Sequence, residues 1–215
     1  MQHDVPRKSA RYTRKGRERR TKILEVAAAT FREHGFEAAS MSQIAALAGG
    51  SKGTLYNYFP SKEDLLLATM LAGAQDYTDK LLIALDPAGD TREQLALFLA
   101  PLLTTLYSHK TAQLLRVAIS VGGKTDIGRR FFDVLDDDIW SNVAQFFKAQ
   151  GERGRLCQQD PQLMCLHLRC LCESELIPLL MGAVDPWDSA RVDQEVKHIS
   201  DIFMLAYGRT PPKQS

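Results

Sequence analysis

Apolar residues recur along this chain at steps of three and four almost from end to end, while the strict alternation of a half-buried strand is scarce. Ile23, Ala27 and Phe31 share a face with Leu24 and Ala28 beside them, which predicts a first helix over about 17–34. Gly35 follows as a stop, and Phe36 lies where it can close the helix end. Ser40-Met41-Ser42-Gln43 has capping-box form and opens a short helix through Ile44, Ala45, Leu47 and Ala48. Gly49-Gly50 breaks that helix, Ser51 caps the next from Lys52 to about Tyr58, and Pro60 halts it. Two short helices on a glycine turn, behind a longer basic one, make a helix-turn-helix pattern.

The remainder also reads as helix. Ser61-Lys62-Glu63-Asp64 caps a long helix towards Leu85, and Thr91-Arg92-Glu93-Gln94 has capping-box form for another to about His109. Lys110 to Ser120 is apolar on one side, and apolar residues from Phe131 to Phe147 predict one long helix over about 126–150. Asp160-Pro161 starts a helix towards Gly182 with a kink at Pro178, and the last helix runs from about Ser189 to Tyr207. The expected fold class is all-α. It comprises a flexible basic arm over 1–16, an N-terminal three-helix unit over 17–63, a larger helical bundle over 64–208 and a disordered tail over 209–215.

Composition changes this picture little: 215 residues with 45% hydrophobic and 25% charged are ordinary for a globular protein. No apolar run is long enough to span a membrane, and the N-terminus has charges without an apolar core behind them, so the cytoplasm is the expected compartment. Charge adds more. Residues 1–60 hold 11 Lys and Arg against 5 Asp and Glu, whereas residues 61–215 hold 16 against 21. A basic leading segment on an acidic body points to a polyanion for the first part only, or to a solvated tail.

Candidate catalytic chemistry is thin. No GxxxxGK[ST], GxSxG or HExxH run occurs, the five histidines are scattered, and Asp136-Asp137-Asp138 would fan around a helix rather than converge. No enzyme and no cofactor is expected. Cys157, Cys165, Cys170 and Cys172 cluster late, but on a helix Cys170 lies roughly 160° from Cys172. They read as small buried hydrophobes, with a metal or redox role as the weaker reading and no metal site expected.

At residues 17–71 the chain resembles the DNA-binding domain of the TetR/AcrR family of transcriptional regulators. The most diagnostic stretch is SKGTLYNYFPSKEDLL, Ser51 to Leu66, together with Ile44-Ala45, the Ala48-Gly49 turn and the Phe31…Gly35-Phe36 ending. A weaker resemblance, to AefR-like regulatory domains, covers about 126–182 through Gly128-Arg129-Arg130-Phe131-Phe132 and the turn Gly151-Glu152-Arg153-Gly154. The family fold implies a helical homodimer with a small helix-turn-helix domain and a larger regulatory bundle. One departure stands out: Gly50 replaces the usual Val, which removes burial worth about 1.5–3 kcal/mol and should loosen the turn.

Residue roles follow from that resemblance and from groove geometry. Ser51, Lys52, Thr54 and Asn57 would face base edges, and Gly53 would allow close approach to the DNA. Tyr56 and Tyr58 would reach phosphates or serve as half-buried supports. Lys62 is expected to clamp a phosphate, with Ser42 and Gln43 where the first motif helix meets the backbone. In the bundle, the apolar Leu103, Tyr107, Phe132 and Trp140 are candidate ligand contacts, although such a stripe is more often plain core, and Arg116 and His167 are polar outliers that could orient a ligand.

Val192, Val196, Ile199 and Phe203 form a heptad-type seam, and Leu163, Cys170 and Ile177 recur at steps of seven. The two helices could pack on their own core or on a second copy, and the dimer reading is preferred. The expected function is a ligand-responsive repressor, bound as a homodimer to a palindromic double-stranded DNA operator and released by a hydrophobic or amphipathic small molecule. The alternative is a DNA-binding regulator or activator with no small-molecule ligand.

Overall fold

The computed structural model describes residues 13–83, 85–135 and 139–209 of the 215, with residues 73–83 described by backbone alone. No strand occurs among the described residues. Helix α1 (Arg14–Ala38) begins earlier than the sequence suggests, because Thr13 caps it by accepting from the Gly16 N–H at 3.2 Å. The expected arm therefore ends in helix, and residues 1–12 lie outside the described residues. Gly35, at φ 74°, breaks the α1 ladder, and Phe36 folds back to stack on Phe31 with ring centroids 5.9 Å apart.

Helices α2 (Met41–Leu47), α3 (Lys52–Tyr58) and α4 (Lys62–Ile83) follow, each started by a serine. The hydroxyls of Ser40, Ser51 and Ser61 accept the N–H groups of Gln43, Thr54 and Asp64 at 3.1, 3.1 and 2.9 Å. Ile23, Ala27 and Phe31 of α1 meet Ile44, Leu55 and Leu66 in one small core. That core also takes in Leu114, Ala118 and Val121 from α6 (His109–Gly122) and Ile127 from α7 (Ile127–Leu135). Packing thus continues across the expected boundary at 63–64.

The larger core joins α5 (Thr91–Leu106), α8 (Ser141–Glu152), α9 (Pro161–Cys172), α10 (Leu176–Met181) and α11 (Ser189–Tyr207). Four expectations change here. Asp90, not Thr91, caps α5, accepting from the Arg92 and Glu93 N–H groups; Thr91 is buried and donates to Gln150 Oε1 at 2.8 Å. Two helices, α7 and α8, stand where one was expected, with Ile139 and Trp140 buried just ahead of α8 and Asp136–Asp138 outside the described residues. The late break lies between α9 and α10 rather than at Pro178, which sits harmlessly in the first turn of α10. The expected tail is pinned at its start, since the Arg209 N–H donates to the Arg155 carbonyl at 2.9 Å; 210–215 lie outside the described residues.

The α11 seam is also placed differently. Val192, Val196, Ile199 and Phe203 are all buried in this chain's own core, where Phe203 stacks on Phe147 at 4.8 Å, so they present nothing to a second copy. Leu163, Cys170 and Ile177 are exposed, as are Leu166, Met181, Ile202 and Leu205.

Candidate nucleic-acid interface and interior cavity

Leu55 and Phe59 are 1% and 3% exposed and fix α3 to the small core by one side. Around the rest of it Ser51, Lys52, Gly53, Tyr56 and Asn57 are all exposed, and the first motif helix adds exposed Ser42. Gln43, Thr54 and Tyr58 are half-buried. The Ser51 and Thr54 hydroxyls pair at 2.9 Å, and Lys52 Nζ lies 5.7 Å from the Tyr56 ring centroid. Tyr58 borders a recess with Lys15, Arg19 and Lys22 of α1, which sets four cationic side chains, Lys52 included, around one short helix. Such a surface can give a helix to a major groove and cations to the flanking phosphates.

Two basic residues hold the unit together internally. Arg19 Nη1 donates to the Ala48 carbonyl at 2.8 Å, at the C-terminal end of α2, and its guanidinium lies against Gly50. The loosened turn expected from Gly50 is therefore filled from α1. Arg19 escaped the sequence reading because its partner lies 29 residues away; the missing side chain at Gly50 was the available signal. Lys62 Nζ donates to the carbonyls of Phe36 at 2.7 Å and Ala39 at 3.0 Å, and sits 4.3 Å from the Phe36 ring centroid. It ties α4 to the end of α1, an internal role in place of the free phosphate clamp expected.

A third link runs from the bundle. Arg130 of α7 donates to Asp64 in the first turn of α4. Burial works to raise the Asp64 carboxyl, but hydrogen bonds from Ser61 and Arg130, with the Arg130 charge, hold it below its ordinary value.

Between the two cores lies a cavity of about 870 Å³. Its walls include Leu24 and Ala28 of α1, Met70 of α4, Leu106 of α5, Leu115 of α6 and Leu135 of α7. Of the side chains expected to contact a ligand, Trp140 lies in this wall. Leu103 and Tyr107 are fully buried in the larger core instead. The Tyr107 hydroxyl donates to the Cys172 carbonyl at 2.9 Å and accepts from the Glu175 N–H at 3.2 Å, and burial pushes it up to about 12. Arg116 is spent on the Leu179 and Leu180 carbonyls at 2.7 and 2.8 Å. His167 pairs with the Tyr207 hydroxyl, and Phe132 lies at the surface beneath the Arg169 guanidinium, 4.9 Å from ring centroid to Cζ. Periodicity placed Leu103, Tyr107, Phe132 and Trp140 on apolar helix faces, with Arg116 and His167 as polar exceptions, but only contacts between distant helices decide which of them border a void.

The cysteines do not converge. Cys165 and Cys172 are buried, Cys170 is exposed, and no group of three potential metal ligands exists among the described residues. Burial pushes the Cys165 thiol up to about 12 and that of Cys172 higher still. No helix among the described residues is long and apolar enough to cross a membrane.

Residues 23–69 match the model of bacterial regulatory proteins of the tetR family, and residues 93–209 match the AefR-like transcriptional repressor C-terminal domain. The chain belongs to the TetR family of transcriptional regulators. TetR-family proteins are regulators rather than enzymes, and they bind DNA as dimers. The chain is 30% identical over 192 residues to the HTH-type transcriptional regulator YhgD of Bacillus subtilis, covering 87% of this chain and 94% of that protein. The activator FasR of Mycolicibacterium smegmatis matches more narrowly, 37% over 78 residues, which is 36% of the length of each. Among solved TetR-family structures, a regulator from Mesorhizobium loti superposes with a TM-score of 0.79 at 24% identity, covering 92% of this chain and 100% of that one. The flavonoid-responsive regulator FrrA superposes with a TM-score of 0.70 at 26% identity, covering 91% and 98%.

Proposed function

We propose that this regulator is a repressor that binds a palindromic operator as a homodimer and is released by a small molecule. The observation that carries the reading is the cavity walled by α1 of the DNA-binding unit on one part and by α5, α6 and α7 on others. An occupant of that space touches the DNA-binding unit itself, so it biases the placement of α3 without relying on the long α4 alone. Release requires only that the occupant bind the displaced arrangement more tightly, by about 1–3 kcal/mol of coupling. FrrA, described as flavonoid-responsive, is a relative of similar fold in which a small molecule acts.

The operator geometry follows from two-fold symmetry. Two copies of α3 must lie about one DNA turn apart, ~34–36 Å, to enter successive major grooves. In this reading Lys52, Thr54 and Asn57 read bases, with Ser51 and Gly53 at the helix entry and Ser42, Gln43, Tyr56 and Tyr58 at the backbone. The dimer is built on the exposed apolar face of Leu163, Leu166, Ile177, Met181, Ile202 and Leu205.

Footprinting on the DNA upstream of its own gene, with a transcriptional reporter, tests the operator and the sign of regulation. Expected are a protected inverted repeat and higher transcription when the gene is deleted; lower transcription would make it an activator. Filling the cavity from its α1 side with Ala28→Phe tests release. Operator affinity should fall about tenfold, or about 1.4 kcal/mol, which lies within that range of coupling, with the melting temperature preserved. Unchanged affinity would overturn release by a ligand.

A further inference from the structure

The cavity between the two cores is lined unevenly. Ile139 and Trp140 in its wall are buried, and Leu106, Leu115 and Leu135 extend the apolar lining. The wall residues that reach solvent, Thr21, Glu25, Thr104 and Lys110, come from α1, the end of α5 and the start of α6, and they mark where the space opens. The void therefore has an apolar interior and a polar rim, a form that receives an amphipathic molecule with its apolar end inward.

Charge in this wall has one sign in excess. On α1, Thr21, Glu25, Ala28 and Arg32 follow at steps of four, three and four, so one face of the helix turns Glu25 and Arg32 to the space. Lys110 stands in the first turn of α6. Two other charged wall residues are engaged elsewhere: Glu173 is paired with Arg169 at 2.9 Å, and the Arg20 guanidinium lies over the Phe59 ring, 5.3 Å from its centroid. Among the described residues the Arg32 and Lys110 side chains form no ion pair, and Glu25 is the one carboxylate of the wall left against them. A half-buried guanidinium and an exposed ammonium without carboxylate partners attract an anion and repel a cation. An anionic group held at the rim also keeps part of its hydration, whereas one carried into the apolar interior would lose it without a partner.

We propose that the cavity takes an amphipathic anion, its apolar body against Ile139 and Trp140 and its charged group at the rim with Arg32 and Lys110. The inference rests on the reading of the cavity as the effector site and names the chemical class that site selects. Arg32 and Lys110 supply the preference for an anion, and Glu25 limits it. A volume of about 870 Å³ accommodates a molecule of drug size.

Three probes of one length test this: decanoate, decanol and decylammonium, kept below micelle-forming concentrations and titrated by calorimetry at neutral pH into the full chain and its variants. The full chain should bind decanoate roughly threefold to tenfold more tightly than decanol, the worth of two partly exposed ion pairs, and decylammonium most weakly. The gap between decanoate and decanol should shrink as salt rises, because the rim is open to solvent. Replacing both cations, Arg32→Gln with Lys110→Gln, should bring decanoate and decanol to about equal affinity while leaving decanol binding unchanged. Glu25→Gln should tighten decanoate roughly twofold to fivefold, a gain that a merely structural role for these side chains does not produce. A preference for decanoate that survives the double variant overturns the assignment to Arg32 and Lys110. Equal binding of the three, tightest binding of decanol or decylammonium, or binding of none overturns the anionic class. The effector reading fails separately: decanoate that binds through Arg32 and Lys110 but leaves operator affinity untouched supports the site and sinks ligand release alone, whereas decanol that binds most tightly and weakens operator binding upholds release and sinks the anion.

Discussion

The Arg19 guanidinium occupies the space that a side chain at position 50 would take: its Nη1 donates to the Ala48 carbonyl at 2.8 Å, and a Cβ on Gly50 would overlap its Nη2. One cation thereby caps α2 and fills the turn that sets the angle of α3. Arg19→Ala should cost about 1 kcal/mol of stability, the ordinary worth of a hydrogen bond. Gly50→Val should displace the same guanidinium, so Arg19→Ala in that background should cost much less. Denaturant unfolding of the two single variants and the double variant measures this; additive costs would mean that Arg19 and Gly50 act independently.

The Arg130–Asp64 ion pair makes stability depend on pH in a defined direction. The folded Asp64 carboxyl lies below its ordinary value of 3.8. Its contribution is therefore complete above 3.8 and is lost as pH falls through the folded value. The parent should melt above Asp64→Asn at neutral pH, and the gap should narrow only as pH falls below 3.8, towards the lowered folded value. Melting curves from pH 7 to pH 3 check this, and a gap that persists in acid would remove the ion pair as its cause.

Tyr107 ends one helix and starts the next. Its hydroxyl serves both the Cys172 carbonyl and the Glu175 N–H, while its ring stacks on Trp187 with centroids 3.4 Å apart. Tyr107→Phe keeps the stack and strands two buried backbone groups, at a cost of about 1–3 kcal/mol. At this chain length that lowers the melting temperature by roughly 3–10 °C. The hydroxyl is raised from 10.0 to about 12, so its contribution is whole below pH 10 and fades as pH climbs towards 12. A variant equal to the parent at pH 7 would contradict the bridging role.

The two faces of α11 should respond oppositely to charge. Leu205 is 89% exposed whereas Val196 is 9% exposed. Leu205→Glu should leave a folded chain that sediments as a monomer, and Val196→Asp should unfold it, costing more than about 3 kcal/mol for an unpaired buried charge. A Leu205→Glu protein that remains dimeric would move the interface elsewhere.

What was legible in the sequence was what neighbours decide. Ser40, Ser51 and Ser61 announce three helix starts because a cap bonds to a residue only three places on. Periodicity likewise showed that Val192, Val196, Ile199 and Phe203 lie on one face, but a stripe does not say whether the same chain or a second copy covers it. Phe98 and Leu99 of α5, about a hundred residues earlier, help to build the core that buries them. The break after Cys172 and the roles of Arg19, Lys62 and Arg116 depend on partners 23 to 65 residues away, beyond what local pattern records.

Fluorescence anisotropy of the protein on DNA from upstream of its own gene, against a scrambled duplex and across a salt series, tests the account most directly. Selective binding by two protomers per site is predicted, with affinity falling steeply as salt rises through release of counterions from the neutralised phosphates. Absence of binding to either duplex at low salt would contradict the assignment of α2 and α3 to DNA.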